Sequence, residues 1–191
     1  MTELWLIRHG QTDWNAEGRI QGSIDQPLNE CGIDQAKKLA AKLDGNKFAA
    51  VYSSPAIRAF QTAAILMEGK NVQIHCDERL KEINLGIWEG LTWQEVEEEY
   101  PELLRKREED PEKVAPPGSE NYSELAERMI EAVNDIAAAH PDERVLVVSH
   151  GMTIASLICK VHGFPLKQAY NYVPKNADPV VLPWKGNFTI G

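Results

Sequence analysis

Two apolar runs, each closed by a His-Gly step, constrain this chain more than anything else in it. Leu4, Trp5, Leu6 and Ile7 lead into Arg8-His9-Gly10, and Val145, Leu146, Val147 and Val148 lead through Ser149 into His150-Gly151. Short continuous apolar runs bounded by turn residues suit strands buried on both faces. In an open α/β sheet, ligands collect beyond the carboxyl ends of such strands. Two strands that both end in His-Gly can therefore aim two imidazoles into one crevice. Arg8 adds a permanent charge beside the first.

The rest of the chain supplies the matching layers. Residues 3–8 read as a buried strand, and 9–28, with Gly10, Gly18, Gly22 and Pro27, as a long ordered loop of the kind that usually carries function. Ile33, Ala36, Leu39, Ala40 and Leu43 recur with helical period, and Gly45 stops that helix. A strand over 48–53 runs into Ser54-Pro55, an N-cap with Pro at the first helical position, and a helix to about Met67. Residues 72–76 form a short strand and 80–85 another extended piece. Thr92 and Glu95 have capping-box spacing, so a helix starts near 93 and is interrupted by Pro101. Residues 114–118 are a connector. Helices over 119–139 and 153–161 flank a strand at 144–149, and 179–190 reads as an edge hairpin around Lys185-Gly186. This alternation predicts one α/β domain over 1–191, a three-layer α/β/α sandwich around a largely parallel, mixed sheet. The stretch 85–118 breaks the alternation and is expected to be a small inserted helical lobe over the site.

Bulk composition narrows the function. With 191 residues and 43% hydrophobic content, the chain can bury a sizeable core. A formal charge of −9 argues against a nucleic-acid binder, which needs a basic face. Cations for an anionic ligand must then be concentrated locally. Cys31, Cys76 and Cys159 are an odd, widely spaced set without CxxC, which reads as reduced thiols in a cytoplasmic protein. No signal peptide and no run of membrane-spanning length is visible. Walker A, GxGxxG and HExxH strings are missing, and nothing suggests a metal site or an organic cofactor.

The residues at the sheet edge fit phosphoryl chemistry. A neutral imidazole at His9 can attack phosphorus, and neighbouring guanidinium charge favours the neutral form. Arg8 can grip phosphate oxygens through its fork of donors, and Gly10 lets the backbone approach an anion. His150 and Gly151 repeat the arrangement where a helix N-terminus adds positive potential. Arg58, in the first turn of the helix after 48–53, reaches the same edge. Glu82, set among Leu80, Ile83 and Leu85, can protonate a leaving oxygen where desolvation assists it. Thr12, Asn15, Gln21 and Gly22 on the long loop offer neutral contacts to an ester. Trp14, Trp88 and Trp93 can floor an apolar part of the site, though at least one is better placed in the core. Each residue alone has a bland reading: a solvated arginine, a turn asparagine, a histidine satisfied at a strand end.

Taken in order, the strings LIRHGQTDWN (6–15), GRIQG (18–22), PLNECG (27–32), YSSPAIRAFQTA (52–63), LKEINLGIWEG (80–90), PPGSE (116–120) and VLVVSHG (145–151) resemble the histidine phosphatase superfamily, in its phosphoglycerate mutase-like branch. The resemblance covers about four fifths of the chain and is loose beyond about 165. It implies that His9 is phosphorylated, that Arg8, Arg58 and His150 form the phosphate pocket, that Glu82 is the proton donor, and that Asn15 and Gln21 touch the phosphate. It also implies no metal and no cofactor. The expected activity is a phosphomonoesterase acting on small phosphorylated metabolites through phosphohistidine. The alternatives are a mutase using the same intermediate and a non-catalytic phosphate-binding module. The family's mutases carry a longer insert with basic residues for the substrate's carboxylate. Here the basic run Arg105-Lys106-Arg107 lies between acidic residues and reads as a solvated helix face, which favours the phosphatase.

Overall fold

The computed structural model describes residues 1–186 and 188. Five strands, β1 (Thr2–Arg8), β2 (Ala50–Ser53), β3 (Ile74–Cys76), β4 (Arg144–Ser149) and β5 (Pro179–Trp184), form one sheet in the order β3-β2-β4-β1-β5. All neighbours are parallel except β5, which runs antiparallel to β1 at the edge. The sequence accounts for this arrangement. Apolar side chains of alternate parity bury both faces of the central strands. Leu4, Leu6, Val145 and Val147 pack with Met129, Val133 and Ile136 of α6 (Tyr122–Ala139) and Ile154 and Leu157 of α7 (Gly151–His162). Ile7, Leu146 and Val148 face the other way, onto Leu39 of α2 (Glu30–Lys42) and Ala59, Ala63 and Leu66 of α3 (Ile57–Leu66). The result is the expected α/β/α sandwich.

Several local expectations need correction. The long loop contains a short helix, α1 (Asp13–Glu17), closed by a capping box between Thr12 and Asn15. Residues 80–85 are not extended into a strand, because side chains satisfy their backbone instead of a neighbouring strand. Arg128 donates to the carbonyls of Arg79, Lys81 and Glu82, while Glu120 and Glu89 accept from the amides of Asn84 and Leu85. The helix after Ser54-Pro55 starts only at Ile57, whose amide is capped by Asp25 from the long loop at 2.7 Å. Helix α7 starts earlier than expected, at Gly151, directly after His150. Pro101 begins a helix of its own, so the lobe holds two, α4 (Trp93–Glu99), with the Thr92/Glu95 capping box in place, and α5 (Pro101–Glu109). Of the periodic positions on α2, Ile33 stays 37% exposed. The first arm of the expected C-terminal hairpin is β5; a second arm would involve 187 and 189–190, outside the described residues. Among the described residues no helix is long and apolar enough to cross a membrane.

Candidate active site

The register of β1 on β4 brings the two His-Gly steps together. Arg8 pairs with Ser149, and the His9 amide donates to the Ser149 carbonyl at 3.0 Å. The imidazoles of His9 and His150 meet edge to face, with centroids 5.1 Å apart. They stand at a crevice of about 240 Å³ whose lining includes Arg8, His9, Asn15, Gln21, Gly22, Arg58, Glu82 and Gly151. His150 is fully buried behind His9. Of the residues singled out from the sequence, only Gly10, Thr12, Trp88 and His150 do not face the opening directly.

The hydrogen bonds decide which ring nitrogen does what. His9 Nδ1 lies 2.7 Å from the Gly10 carbonyl, an acceptor only, so the proton of neutral His9 sits there and Nε2 keeps its lone pair. His150 Nε2 lies 2.8 Å from Ser54 Oγ, which already accepts from the Ala56 amide. The Ser54 hydroxyl can give its proton to Nε2, and in that tautomer His150 carries its own on Nδ1, the ring nitrogen without a partner. Both rings are held neutral: burial, then the charge of Arg58, pushes each well below the ordinary value of 6.5. Arg8 strengthens the effect at His9, and the two histidines disfavour charge on one another.

Arg8 and Arg58 are anchored by backbone rather than by carboxylates. Arg8 Nη1 donates to the Pro174 carbonyl at 2.9 Å. Arg58 donates to the carbonyls of Ile24 and Gly22, both at 2.9 Å. Nε of each is buried without a partner, like His150 Nδ1. Unpartnered nitrogens of two guanidinium groups and one imidazole thus gather beside His9, a set that an anion with several oxygens can complete. Among the described residues neither arginine forms an ion pair, so the cationic character stays available.

Thr12 acts from behind. Its amide donates to Asn15 Oδ1 at 3.2 Å and its hydroxyl to Gln21 Oε1 at 2.9 Å. With both amide oxygens taken, the NH₂ groups of Asn15 and Gln21 are the ends left for the crevice. Thr12 itself is fully buried and does not contact it, contrary to the expectation of a direct contact. Gly10 also has another task than expected. A Cβ there would lie 2.5 Å from the Gly32 carbonyl, so it permits the His9 turn to lie against the start of α2 rather than against an anion.

Glu82 is not in the dry pocket its neighbours suggested. Its Oε1 accepts from the amides of Ile83 and Thr153 and the Thr153 hydroxyl, and Oε2 accepts from the Met152 amide at 3.1 Å. It thus caps α7 from a distant segment, and Oε2, with one bond, is the oxygen with room for a proton. The tryptophans divide as anticipated: Trp14 and Trp93 line the crevice, while Trp88 is fully buried. The basic run is only partly solvated. Arg105 pairs with Glu102 and Glu109 on the surface, but Arg107 turns inward and is 4% exposed, because its guanidinium lies over the Tyr122 and Trp88 rings.

The segment after α7 contributes more than the sequence indicated. Tyr170 and Val173 line the crevice, and Asn176 Nδ2 donates to the His9 carbonyl at 2.8 Å. The only sequence cue there was the polar, Pro-containing stretch that follows an amphipathic helix.

Parallel strands that bring two histidines and two arginines together at their carboxyl ends define a phosphoryl-transfer type of site. The sequence profile of the histidine phosphatase superfamily (branch 1) matches residues 4–189, and the chain belongs to that superfamily. It is 35% identical over 182 residues to phosphoserine phosphatase 1 of Hydrogenobacter thermophilus, covering 95% of this chain and 86% of that protein. It is 39% identical over 159 residues to phosphoglycerate mutase-like protein 4 of Arabidopsis thaliana, covering 81% of this chain and 69% of the relative. The structure of Bacillus stearothermophilus YhfR superposes with a TM-score of 0.89 at 35% identity, over 97% of this chain and 93% of that one.

Proposed function

We propose that this protein is a phosphomonoesterase that hydrolyses small phosphorylated metabolites in two in-line steps through a phosphohistidine at His9. The observation that carries the reading is the set of unpartnered buried donors, Arg8 Nε, Arg58 Nε and His150 Nδ1, grouped around a neutral His9 whose Nδ1 is already committed. In the first step His9 Nε2 bonds to phosphorus, the P–O bond to the alcohol breaks, and Glu82 Oε2 delivers a proton to the departing oxygen. In the second, Glu82 takes a proton from water, whose oxygen displaces His9 and releases orthophosphate. Arg8, Arg58, His150, Asn15 and Gln21 hold the non-bridging oxygens throughout, while Gly22 and Gly151 shape the wall.

Magnitudes explain why so many groups are needed. Uncatalysed monoester hydrolysis demands accelerations up to about 10²¹-fold. A cationic finger supplies about 10³–10⁵-fold, and a general acid about 10²–10⁴-fold. No single group suffices. His9→Ala is expected to abolish turnover and acid-labile labelling by radioactive substrate. Glu82→Gln is expected to harm alkyl esters far more than p-nitrophenyl phosphate, whose leaving group needs no proton. Near-normal turnover by His9→Ala would refute the assignment.

One observation keeps the mutase reading in view: Arg107, in the inserted lobe, is buried rather than solvated. Incubation with 3-phosphoglycerate, with and without bisphosphate primer, separates the two. Orthophosphate release ahead of isomer formation supports the phosphatase, and the reverse order supports the mutase. Phosphoserine belongs in the same panel because of the Hydrogenobacter relative.

A further inference from the structure

The phosphate crevice has a larger neighbour. Trp93 and Tyr170 belong to the walls of both cavities, their rings meeting edge to face at 5.9 Å. The second cavity measures about 1080 Å³ against about 240 Å³ for the crevice. Pockets for drug-sized ligands span roughly 300–1,000 Å³, so this chamber far exceeds what a three-carbon alcohol would fill. Its wall is aromatic, with Trp88, Trp93, Tyr122 and Tyr170. Trp93 and Tyr170 are 37% and 52% exposed, leaving ring area free for a planar partner.

One charge is buried in this wall. Arg107 Nη1 donates to the carbonyls of Val114 and Glu120, but Nη2 is buried without a partner, and so is Trp88 Nε1. The guanidinium carbon lies 4.9 Å from the Tyr122 ring centroid and 5.9 Å from that of Trp88. Among the described residues Arg107 forms no ion pair. A buried cation without a counter-ion and a buried indole N–H without an acceptor are both unfavourable. A carboxylate on a ligand brings two acceptor oxygens, one for each. Glu97, Glu98 and Glu108 stand exposed around the chamber against Lys167 and an Arg105 already paired with Glu102 and Glu109, a balance that disfavours polyanions.

We propose that this chamber receives the alcohol half of the substrate, and that this alcohol carries a planar ring bearing one carboxylate. The ring lies against Trp93 and Tyr170, and the carboxylate meets Arg107 and Trp88 Nε1. The proposal rests on the phosphomonoesterase reading and deepens it: Arg107 is a specificity residue, not part of the phosphoryl-transfer machinery.

Three synthetic esters of similar leaving-group acidity test it: propyl phosphate, 3-phenylpropyl phosphate and 3-(4-carboxyphenyl)propyl phosphate. In the wild type, kcat/KM is expected to rise about tenfold with the ring and about tenfold again with the carboxylate. Arg107→Met should erase the second increment and keep the first, and Arg107→Lys should restore part of it. Because Arg107 also ties down two carbonyls, the readout is the ratio between esters within one variant, which a loosened lobe does not mimic. Equal kcat/KM for the three esters overturns the proposal, as does an Arg107→Met enzyme that retains the carboxylate increment. Failure to hydrolyse propyl phosphate as well as the others would bring down the phosphomonoesterase reading itself, and this proposal with it.

Discussion

Acidifying the protein from pH 7.5 to 5.5 tests the electrostatics of the site without any substrate. In the unfolded chain His9 and His150 titrate near 6.5, whereas in the folded protein burial, followed by the charge of Arg58, keeps both neutral well below that value. Between those limits the unfolded chain binds two more protons than the folded one, so stability falls as the pH drops. The contribution is complete above about pH 6.5 and is lost progressively below it. Each histidine supplies a limiting slope of about 1.4 kcal/mol per pH unit. Allowing for the rounded onset near 6.5, two of them remove about 3 kcal/mol over this interval, a large part of a typical ~5–15 kcal/mol. Glu3, Asp77 and Glu95, all held below their ordinary values by hydrogen bonds, push in the same direction but only below about 4.5. Urea unfolding followed by tryptophan fluorescence at the two pH values measures the loss. His9→Gln should reduce it by about half. A stability that is flat from pH 7.5 to 5.5, or a loss of the same size in His9→Gln, would refute the reasoning.

Thr12→Val removes the hydroxyl that orients Gln21 and caps α1; kcat/KM for a simple ester should drop about tenfold and unfolding stability by about 1 kcal/mol. Ser54→Ala leaves His150 Nε2 without its proton donor, so the proton can move from Nδ1. Steady-state assays should show about a tenfold loss in kcat/KM, with weaker inhibition by vanadate. Gly32→Ala places a Cβ 2.1 Å from the Gln11 carbonyl, and urea titration should show a loss of about 1–3 kcal/mol.

What the sequence revealed follows from what is local in it. The ends of β1 and β4 were legible because a continuous apolar run must be buried and His-Gly must end it. The capping box at Thr92, before α4, was legible because its partners lie three residues apart. Partnerships made across the fold were not. Glu82 caps α7 from 70 positions away, and Ser54 serves His150 rather than the helix it precedes. Asn176 and Tyr170 come from a stretch with no periodicity to mark it. Arg107 was misread because only Leu103 and Leu104 mark the inner side of its helix, and an arginine one turn further along that side reads as solvated among its charged neighbours. Charge neighbours on a short helix say nothing about the aromatic floor beneath one of its residues.

Arg8 and Arg58 are pinned by main-chain carbonyls, so in the proposed mechanism they meet a tetrahedral oxyanion without rearranging. Orthophosphate offers it nearly the same oxygens as the ester does. Free product should therefore compete for the resting enzyme, and the working rate would track the ratio of ester to orthophosphate rather than ester alone. Discrimination between one metabolite and another then falls to the surface that touches the alcohol.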